Sequence, residues 1–227
     1  MCLIVLAWRA RPDFPLVVAA NRDEFHARPA ARAGFWKEQA SILAGRDLEA
    51  GGTWIGVSRS ERFAAVTNYR GGRDANAKLS RGALVTGFLS TSSSAKAFVE
   101  KTEKTKSSYS GFNLLVADRE ELWWLSNRDG GSRRLEPGIY GLGNLLLDTP
   151  EVSDAKLSFE RAIAHAPSVE PLFAVLAAAK IVAAEYGTRC STVLTAQADG
   201  RMHFAERPFE PTGAEGATLR FEFSRSG

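Results

Sequence analysis

Residues 1–24, MCLIVLAWRARPDFPLVVAANRDE, decide the fold of this chain. They contain two short apolar runs, at 3–8 and 15–20, with a polar break between them. This pattern predicts two neighbouring buried strands joined by a hairpin-like turn. The beginning of the first strand would then lie beside the end of the second. We therefore expect Cys2 to lie next to the four polar residues 21–24.

Cys2 has the features of an N-terminal nucleophile. It directly follows Met1, so removal of Met1 would leave a thiol and a free α-amine on one residue. An α-amine has a reference pKa of about 7.7–8.0 and a thiol about 8.5, so the amine can accept the thiol proton near neutral pH. The alternative is a small apolar residue that opens a strand, because free cysteine is often simply buried. The charged residues in 21–24 favour the nucleophile, since nearby cations stabilise a thiolate.

Length, charge and cysteine content exclude several classes of protein. A chain of 227 residues predicts one domain over 1–227, with two small domains as the alternative. The formal net charge of +3 is too small to indicate a nucleic-acid partner. The only cysteines are Cys2 and Cys190, and no metal-binding Cys or His spacing occurs, so we expect no metal and a cytoplasmic location. The first apolar run is too short for a transmembrane segment, and the sequence does not fix the oligomeric state.

The order of the predicted elements favours antiparallel sheets. Strand-like runs come in hairpins and helix-like segments come in pairs, unlike the alternation of a parallel α/β fold. The hairpin runs include 53–58 with 62–68 and 112–117 with 122–126, and the helix pairs are 80–90 with 94–105 and 154–165 with 171–186. Ser80 and Ser153 are the expected helix caps. We predict an α+β fold in which two antiparallel sheets stack face to face between helix layers.

Polar side chains at the ends of predicted strands form a candidate acyl-transfer site. Such chemistry needs a nucleophile, an adjacent base and donors aimed at the oxyanion, and asparagine is a suitable uncharged donor. The candidates are Cys2, Asp23, Asn68, Asn144 and Arg189. Asp23 would orient the Cys2 amine or thiol, and Arg189 would balance a thiolate or bind a substrate carboxylate. Each also has a plain alternative, because strand-end asparagines often form turns and Arg–Asp pairs are often structural.

The motif Asn21-Arg22-Asp23-Glu24, preceded by Met1-Cys2, resembles the NRDE family. This is the family of the transport and Golgi organisation protein of animals and bacteria. The similar segments also include 25, 28–29, 52–54, 67–70, 111–113, 140–144, 147–150 and 186–189, so the resemblance covers nearly the whole chain. It implies the four-layer αββα sandwich of the N-terminal-nucleophile (Ntn) hydrolases.

A more distant resemblance, to the bile-salt and penicillin V acylases of that fold, implies individual roles. In those enzymes an N-terminal cysteine is the nucleophile, an aspartate and two asparagines assist it, and a late arginine completes the site. Order and local context match them to Cys2, Asp23, Asn68, Asn144 and Arg189, and the expected substrate-binding residues are Asn21, Arg22, Trp54 and Tyr69. The acylases also have an arginine where this chain has Ala20. Arg22 is the nearest substitute, and we expect its side chain to point to the opposite face.

The resemblance implies two functions. The first is a cysteine amidohydrolase that acts on an acyl amide or thioester of a small or lipid-like substrate and requires no cofactor. The second is a carrier for haem or an acyl-CoA-type lipid, because the family is associated with haem trafficking and lipid metabolism. A carrier would line the same cavity with aromatic residues such as Trp54, Phe63 and Tyr69, and Arg22 or Arg189 would meet a carboxylate. The candidate axial haem ligands are His26, His165, His203, Met202, Cys2 and Cys190.

Overall fold

The structure is a computed structural model that describes residues 2–71, 74 and 77–225. The chain divides into two compact units, the first formed by Met1–Arg28 with Pro137–Arg225 and the second by Pro29–Glu136. The strands are β1 (Leu3–Arg11), β2 (Phe14–Phe25), β3 (Ala30–Phe35), β4 (Ile42–Asp47), β5 (Ile55–Ser58), β6 (Phe63–Asn68), β7 (Phe112–Ala117), β8 (Leu122–Ser126), β9 (Ser132–Leu135), β10 (Gly138–Leu142), β11 (Tyr186–Ala196), β12 (Arg201–Pro208) and β13 (Leu219–Ser224). The α-helices are α1 (Gly82–Ser90), α2 (Ala95–Glu103), α3 (Ser153–Ala162) and α4 (Val169–Ala177). That the whole chain is one domain stays a prediction.

The first unit is a six-stranded sheet in the order β10-β1-β2-β11-β12-β13, and every neighbouring pair is antiparallel. The predicted hairpin of β1 and β2 is present, with Leu3 opposite Asn21 and Trp8 opposite Leu16. Alternate apolar residues of these strands pack against α3 and α4 on one face of the sheet. Because β2 lies between β1 and β11, its carboxyl end is flanked by residues from both ends of the chain.

The second unit is a seven-stranded antiparallel sheet in which β3 to β9 follow one another in chain order. Helices α1 and α2 cover one face, where Phe88 and Val99 pack against Leu114 and Val116 of β7. Buried Arg62 joins a helix to this sheet, since its Nε donates to the Phe88 carbonyl at 3.0 Å. The predicted pattern of two antiparallel sheets, each with a pair of helices, is therefore confirmed.

The second helix of the last pair is shorter than the sequence pattern predicted. Alanine-rich residues 171–186 favour a helix, but α4 ends at Ala177 and Tyr186 already begins β11. The Thr188 backbone N–H donates to the Ile181 carbonyl at 2.9 Å, and its side-chain Oγ1 accepts from the Ile181 N–H at 2.8 Å. Long-range pairing with β2 therefore outweighs local helix propensity, which is a weak preference.

Both predicted helix caps are wrong. Ser94, for which no cap was predicted, caps α2, because its Oγ accepts the Ala97 N–H at 3.2 Å. Ser80 precedes the actual N-cap, Arg81, whose side chain makes no capping hydrogen bond. Ser153 is already helical, because a 3₁₀ turn over Pro150–Val152 leads directly into α3. Among the residues that the structure describes, no helix has the length and apolar character that a membrane crossing requires.

Candidate active site around Cys2

The β1–β2 hairpin places the Cys2 side chain at the end of β2. Leu3 pairs with Asn21 in the antiparallel ladder. Cys2, one residue before Leu3, therefore lies near the residues that follow Asn21. The Cys2 Sγ lies 3.4 Å from the Asp23 backbone nitrogen and 3.4 Å from the Asp23 carbonyl oxygen. It can therefore accept one hydrogen bond and donate another to the same residue. Cys2 as a whole is only half-buried.

The Cys2 thiol is strongly biased toward its neutral form in the chain that retains Met1. Burial of the sulfur raises the pKa of Cys2 to about 11, and the nearby Asp23 carboxylate acts in the same direction. The hydrogen bond from the Asp23 backbone and the positive charge of Arg22 lower that pKa, but less strongly. A neutral thiol is a weak nucleophile, so chemistry at Cys2 requires a further activating group.

The Asp23 carboxylate is fixed by a threonine from the other end of the chain. The Thr188 hydroxyl donates to Asp23 Oδ1 at 2.6 Å, and both residues are buried. The same hydroxyl oxygen accepts from the Ile181 N–H at 2.8 Å. The orientation of the carboxylate beside Cys2 is thus set by β11 and by the segment that precedes it.

Asn21 connects the sheet to helix α4. Its Nδ2 donates to the Leu176 carbonyl at 2.9 Å, and its Oδ1 accepts from the Ser191 hydroxyl at 2.6 Å. Both ends of the buried amide are therefore used within the first unit. This arrangement is structural, and the predicted role of Asn21 in substrate binding stays a prediction.

Arg189 lies in a β-bulge and anchors the turn that follows β2. The register between β11 and β2 shifts at this residue. Its Nη1 donates to the carbonyl oxygens of Phe25, His26 and Arg28 at 2.9, 3.2 and 3.1 Å. The positive charge of Arg189 therefore lies beside the residues that directly follow the Asn21–Glu24 segment.

The expectation that Arg22 points to the opposite face from Ala20 is wrong. Residues two apart on a regular strand share a face. The pairing of β2 with β11 is continuous here, with Ala20 opposite Thr192 and Arg22 opposite Cys190. The buried Arg22 side chain therefore lies on the face that position 20 occupies. From there its positive charge lowers the pKa values of both cysteines, opposing the larger upward effect of burial.

Tyr186 and Thr188 are site residues that the sequence interpretation missed. The Tyr186 ring packs edge-on against Phe25, with centroids 5.3 Å apart. Burial raises the pKa of Tyr186 above its ordinary value, and negative charge at Cys2 and Asp23 adds to the effect. Both residues belong to segment 186–189, which was noted as a motif but interpreted as a helix end. A strand interpretation of that segment would have placed Thr188 opposite Asp23 and Tyr186 opposite Phe25.

Asn144 belongs to a closed turn after β10. Leu142, the last residue of β10, pairs with Ile4 of β1, and Asn144 follows two residues later. The turn is fixed by Asp148, whose backbone N–H donates to the Gly141 carbonyl and whose Oδ1 accepts the Gly141 N–H, both at 2.8 Å. Asn144 is half-buried in this turn, and its predicted role in catalysis stays a prediction.

Three of the predicted site residues belong to the second unit. Asn68 is the last residue of β6, where it pairs with Phe112 and is exposed. The Tyr69 N–H donates to the Gly111 carbonyl at 2.9 Å, and the Trp54 carbonyl accepts from the Val66 N–H at 2.8 Å. Their predicted roles in catalysis and binding stay predictions.

Two of the three histidines are already hydrogen-bonded. His26 Nε2 lies 2.9 Å from the Ala183 carbonyl, and His203 lies between Glu222 and Gln197 at 2.8 and 3.0 Å. His165 is exposed. Within ranges 2–71 and 77–225 together with residue 74, no three His, Cys, Asp or Glu side chains are arranged to hold a metal ion.

Comparison with known proteins identifies the family. The family described as Transport and Golgi organisation 2 matches residues 1–211. The chain belongs to this family. The Bos taurus homolog of Transport and Golgi organization protein 2 is 34% identical over 97% of this chain and 99% of its own length. The Homo sapiens homolog is 33% identical over 91% of this chain and 92% of its own length. The family predicted from motifs spread over nearly the whole chain is thus confirmed.

Solved structures of two hydrolases share the fold of this family member. A Caenorhabditis elegans N-acylethanolamine-hydrolyzing acid amidase ortholog matches with a TM-score of 0.56 and 11% identity, covering 85% of this chain and 92% of that one. A mutant conjugated bile acid hydrolase from Clostridium perfringens matches with a TM-score of 0.55 and 7% identity, covering 100% and 98%. At such low identity the likeness shows the fold alone. The predicted Ntn-hydrolase-like fold class is confirmed.

Proposed function

We propose that this protein is an N-terminal cysteine hydrolase that cleaves an acyl amide or thioester of a small or lipid-like substrate. The observation behind the proposal is the contact of the Cys2 Sγ with both backbone groups of Asp23, each at 3.4 Å. The Asp23 carboxylate accepts from Thr188 Oγ1 at 2.6 Å, and its negative charge contributes to the raised pKa of Cys2. These observations support a nucleophile whose electrostatic surroundings include a fixed carboxylate, as acyl transfer requires.

Removal of Met1 supplies the missing base. The α-amine of Cys2 would then lie on the same residue as the thiol, and Asp23 would hold the ammonium form. The amine accepts the thiol proton as Sγ attacks the acyl carbon, and it passes that proton to the departing amine or thiol. Water, deprotonated by the same amine, then attacks the thioester and releases the acid together with free Cys2.

Two further side chains stabilise negative charge in this scheme. Arg22 lowers the pKa of the Cys2 thiol through its positive charge, although burial dominates while Met1 is present. Asn144, presented by the turn beside β1, is the proposed oxyanion donor. Loss of one such donor typically costs about a hundred- to a thousandfold in kcat. We expect a decrease of that size for Asn144→Ala, with a smaller change in KM.

An acyl conjugate is the substrate class that the fold neighbours favour. One is named for hydrolysing N-acylethanolamines and the other for conjugated bile acids. A panel of acyl amides and acyl thioesters with short and long chains should therefore be offered to protein that begins at Cys2. Mass spectrometry should detect an acyl group on the N-terminal peptide, and Cys2→Ala should abolish both this adduct and turnover. Cys190→Ser is the matched thiol control. Turnover that persists in Cys2→Ala would contradict the assignment.

A carrier for haem or an acyl-CoA-type lipid is the second candidate. The raised pKa of Cys2, about 11, favours it for any chain that keeps Met1, because such a chain has neither a reactive thiol nor a free α-amine on Cys2 itself. The Arg22 guanidinium would then meet a propionate or a phosphate. Haem titrated into Met1-retaining protein should give a saturable Soret change that weakens in Arg22→Ala. Arg201, at the beginning of β12, supplies the control variant Arg201→Ala. Absence of saturable haem or acyl-CoA binding, with hydrolysis only after Met1 removal, would leave the hydrolase alone.

A further inference from the structure

The β-bulge at Arg189 brings two hydroxyl groups to one face of the first sheet. Thr188 and Ser191 are three residues apart, so on a regular strand their side chains would lie on opposite faces. In β11, Thr188 pairs with Asp23 and Ser191 pairs with Asn21, with Arg189 as the extra residue. A bulge adds one residue to one strand only and so reverses the alternation locally. Both hydroxyls therefore meet side chains of β2 that share a face.

The two hydroxyls make equally short bonds to chemically different partners. Thr188 Oγ1 donates to Asp23 Oδ1 at 2.6 Å, and Ser191 Oγ donates to Asn21 Oδ1 at 2.6 Å. All four residues are buried. Asn21 is an uncharged amide that continues to the Leu176 carbonyl of α4. Asp23 is a carboxylate whose own backbone contacts the Cys2 sulfur.

The Thr188 hydroxyl is oriented by one hydrogen bond that it accepts and one that it donates. A hydroxyl has one proton to donate and lone pairs to accept. The Ile181 N–H occupies an acceptor position of Oγ1 at 2.8 Å, and the Thr188 N–H returns a bond to the Ile181 carbonyl at 2.9 Å. The single proton is therefore directed at Asp23. Removal of this donor would take away the hydrogen bond that fixes Oδ1 of the carboxylate.

We propose that Thr188 is a positioning residue that holds the Asp23 carboxylate in the orientation that receives the α-ammonium group of Cys2. The proposal rests on the proposed function, since the ammonium group exists only after Met1 is removed. It also explains the bulge, because without the extra residue the Thr188 hydroxyl would lie on the wrong face of the sheet. Thr188 itself does not contact the reacting atoms.

The test compares Thr188→Val, Thr188→Ala and Thr188→Ser in two forms of the full chain. One form begins at Cys2, released by a protease that cleaves before it, and the other retains Met1. The readout is the rate of Cys2 alkylation by iodoacetamide between pH 7 and 10, followed by mass spectrometry of the N-terminal peptide. The matched control is Ser191→Ala, which removes the hydroxyl of the neighbouring pair in the same buried layer.

We expect Thr188→Val and Thr188→Ala to slow alkylation by about tenfold near pH 7.5 in the form that begins at Cys2, since hydrogen bonds to charged groups are among the stronger ones. In the form that retains Met1 the change should stay within about twofold, because no Cys2 ammonium group is present to be oriented. Thr188→Ser should restore the rate, and Ser191→Ala should leave it unchanged in both forms.

Three results would overturn the proposal: equal slowing in both forms, equal slowing by Ser191→Ala, or no slowing by the Thr188 variants in the form that begins at Cys2. If Thr188→Val does not fold, the comparison of Thr188→Ala with Thr188→Ser still decides the outcome. Failure of the proposed function gives a different result. In that case the wild-type form that begins at Cys2 is alkylated readily but hydrolyses no acyl substrate, and the Thr188 comparison is unaffected.

Discussion

At the scale of single residues, Asn21 and Asp23 of β2 bind different partners. Asn21 is engaged at both ends of its amide with Ser191 and α4, whereas Asp23 presents backbone to Cys2 and carboxylate to Thr188. Arg22, between them, points to the other face of the sheet. Asn21 and Asp23 therefore share a face of the sheet but have different partners, and the role of each can be tested by substitution.

The Cys2 thiol should show an unusually alkaline pH dependence in protein that retains Met1. The thiolate is the reactive form, and burial raises the pKa of Cys2 to about 11. Below that value the thiolate fraction falls about tenfold for each pH unit. The alkylation rate should therefore increase steadily from pH 7 to pH 10, whereas a free thiol, with a pKa of about 8.5, would be half ionised at that pH and level off about one pH unit above it. A plateau reached by pH 10, measured by mass spectrometry of the N-terminal peptide, would contradict the raised pKa of Cys2.

Asn21→Ala should destabilise the protein without affecting Cys2. The substitution leaves the Ser191 hydroxyl and the Leu176 carbonyl without their buried partner, which costs about 1–3 kcal/mol in free energy of unfolding. Urea denaturation measures this loss. In the double variant with Ser191→Ala the further loss should be smaller than that of Ser191→Ala alone, because the two side chains act as one unit. Unchanged stability with a raised KM would instead support substrate binding by Asn21.

At the scale of elements, close packing between β10 and α3 fixes the turn that contains Asn144. A Cβ added at Gly141 would lie 2.6 Å from Val152 Cγ2 and 2.9 Å from the Lys156 side chain. A Cβ at that point would require the side chains of Val152 and Lys156 to shift. The position of α3 and the position of Asn144 are therefore linked through the end of β10.

Gly141→Ala should displace α3 and lower the free energy of unfolding by about 1–3 kcal/mol, the usual cost of overpacking. Gly34→Ala in β3 is the matched control, because an added Cβ there meets nothing within 4 Å. We expect the control to be neutral or slightly stabilising, since glycine disfavours strands. Thermal and urea unfolding of both variants provide the comparison. Equal free energies of unfolding for the two variants would show that α3 can move to accept the added methyl group without loss of stability.

The elements also show which features a sequence can predict. The β1–β2 hairpin follows from two apolar runs and a polar break, and its register brings Cys2 to Asp23. The bulge at Arg189 has no comparable signal, because one extra residue in a strand leaves the hydrophobic pattern nearly unchanged. The end of α4 was missed because the alanine-rich segment favours a helix locally, whereas Thr188 and Ile181 pair through long-range contacts.

At the scale of the whole molecule, the family explains why the fold was predictable and the reaction was not. Motifs spread from Met1-Cys2 to Arg189 identify the family and with it the Ntn-hydrolase-like fold. Whether that fold performs hydrolysis depends on a few atoms around Cys2 and on the presence of Met1. The second unit is one continuous segment, Pro29–Glu136, whereas the first unit is assembled from both ends of the chain.

Because the first unit contains both ends of the chain, its sheet can be completed only late in synthesis. Asp23 and its partner Thr188 are 165 residues apart. At about 5–20 residues per second, the ribosome needs roughly 8–33 s to bridge that distance. During this interval the N-terminus has emerged but β11 has not, so an aminopeptidase can reach Met1 before the sheet closes around Cys2. We expect stalled nascent chains that end before Tyr186 to expose Cys2 to a bulky maleimide, and released full-length chains to protect it. Protection in the short chains would mean that β1 and β2 bury Cys2 without β11.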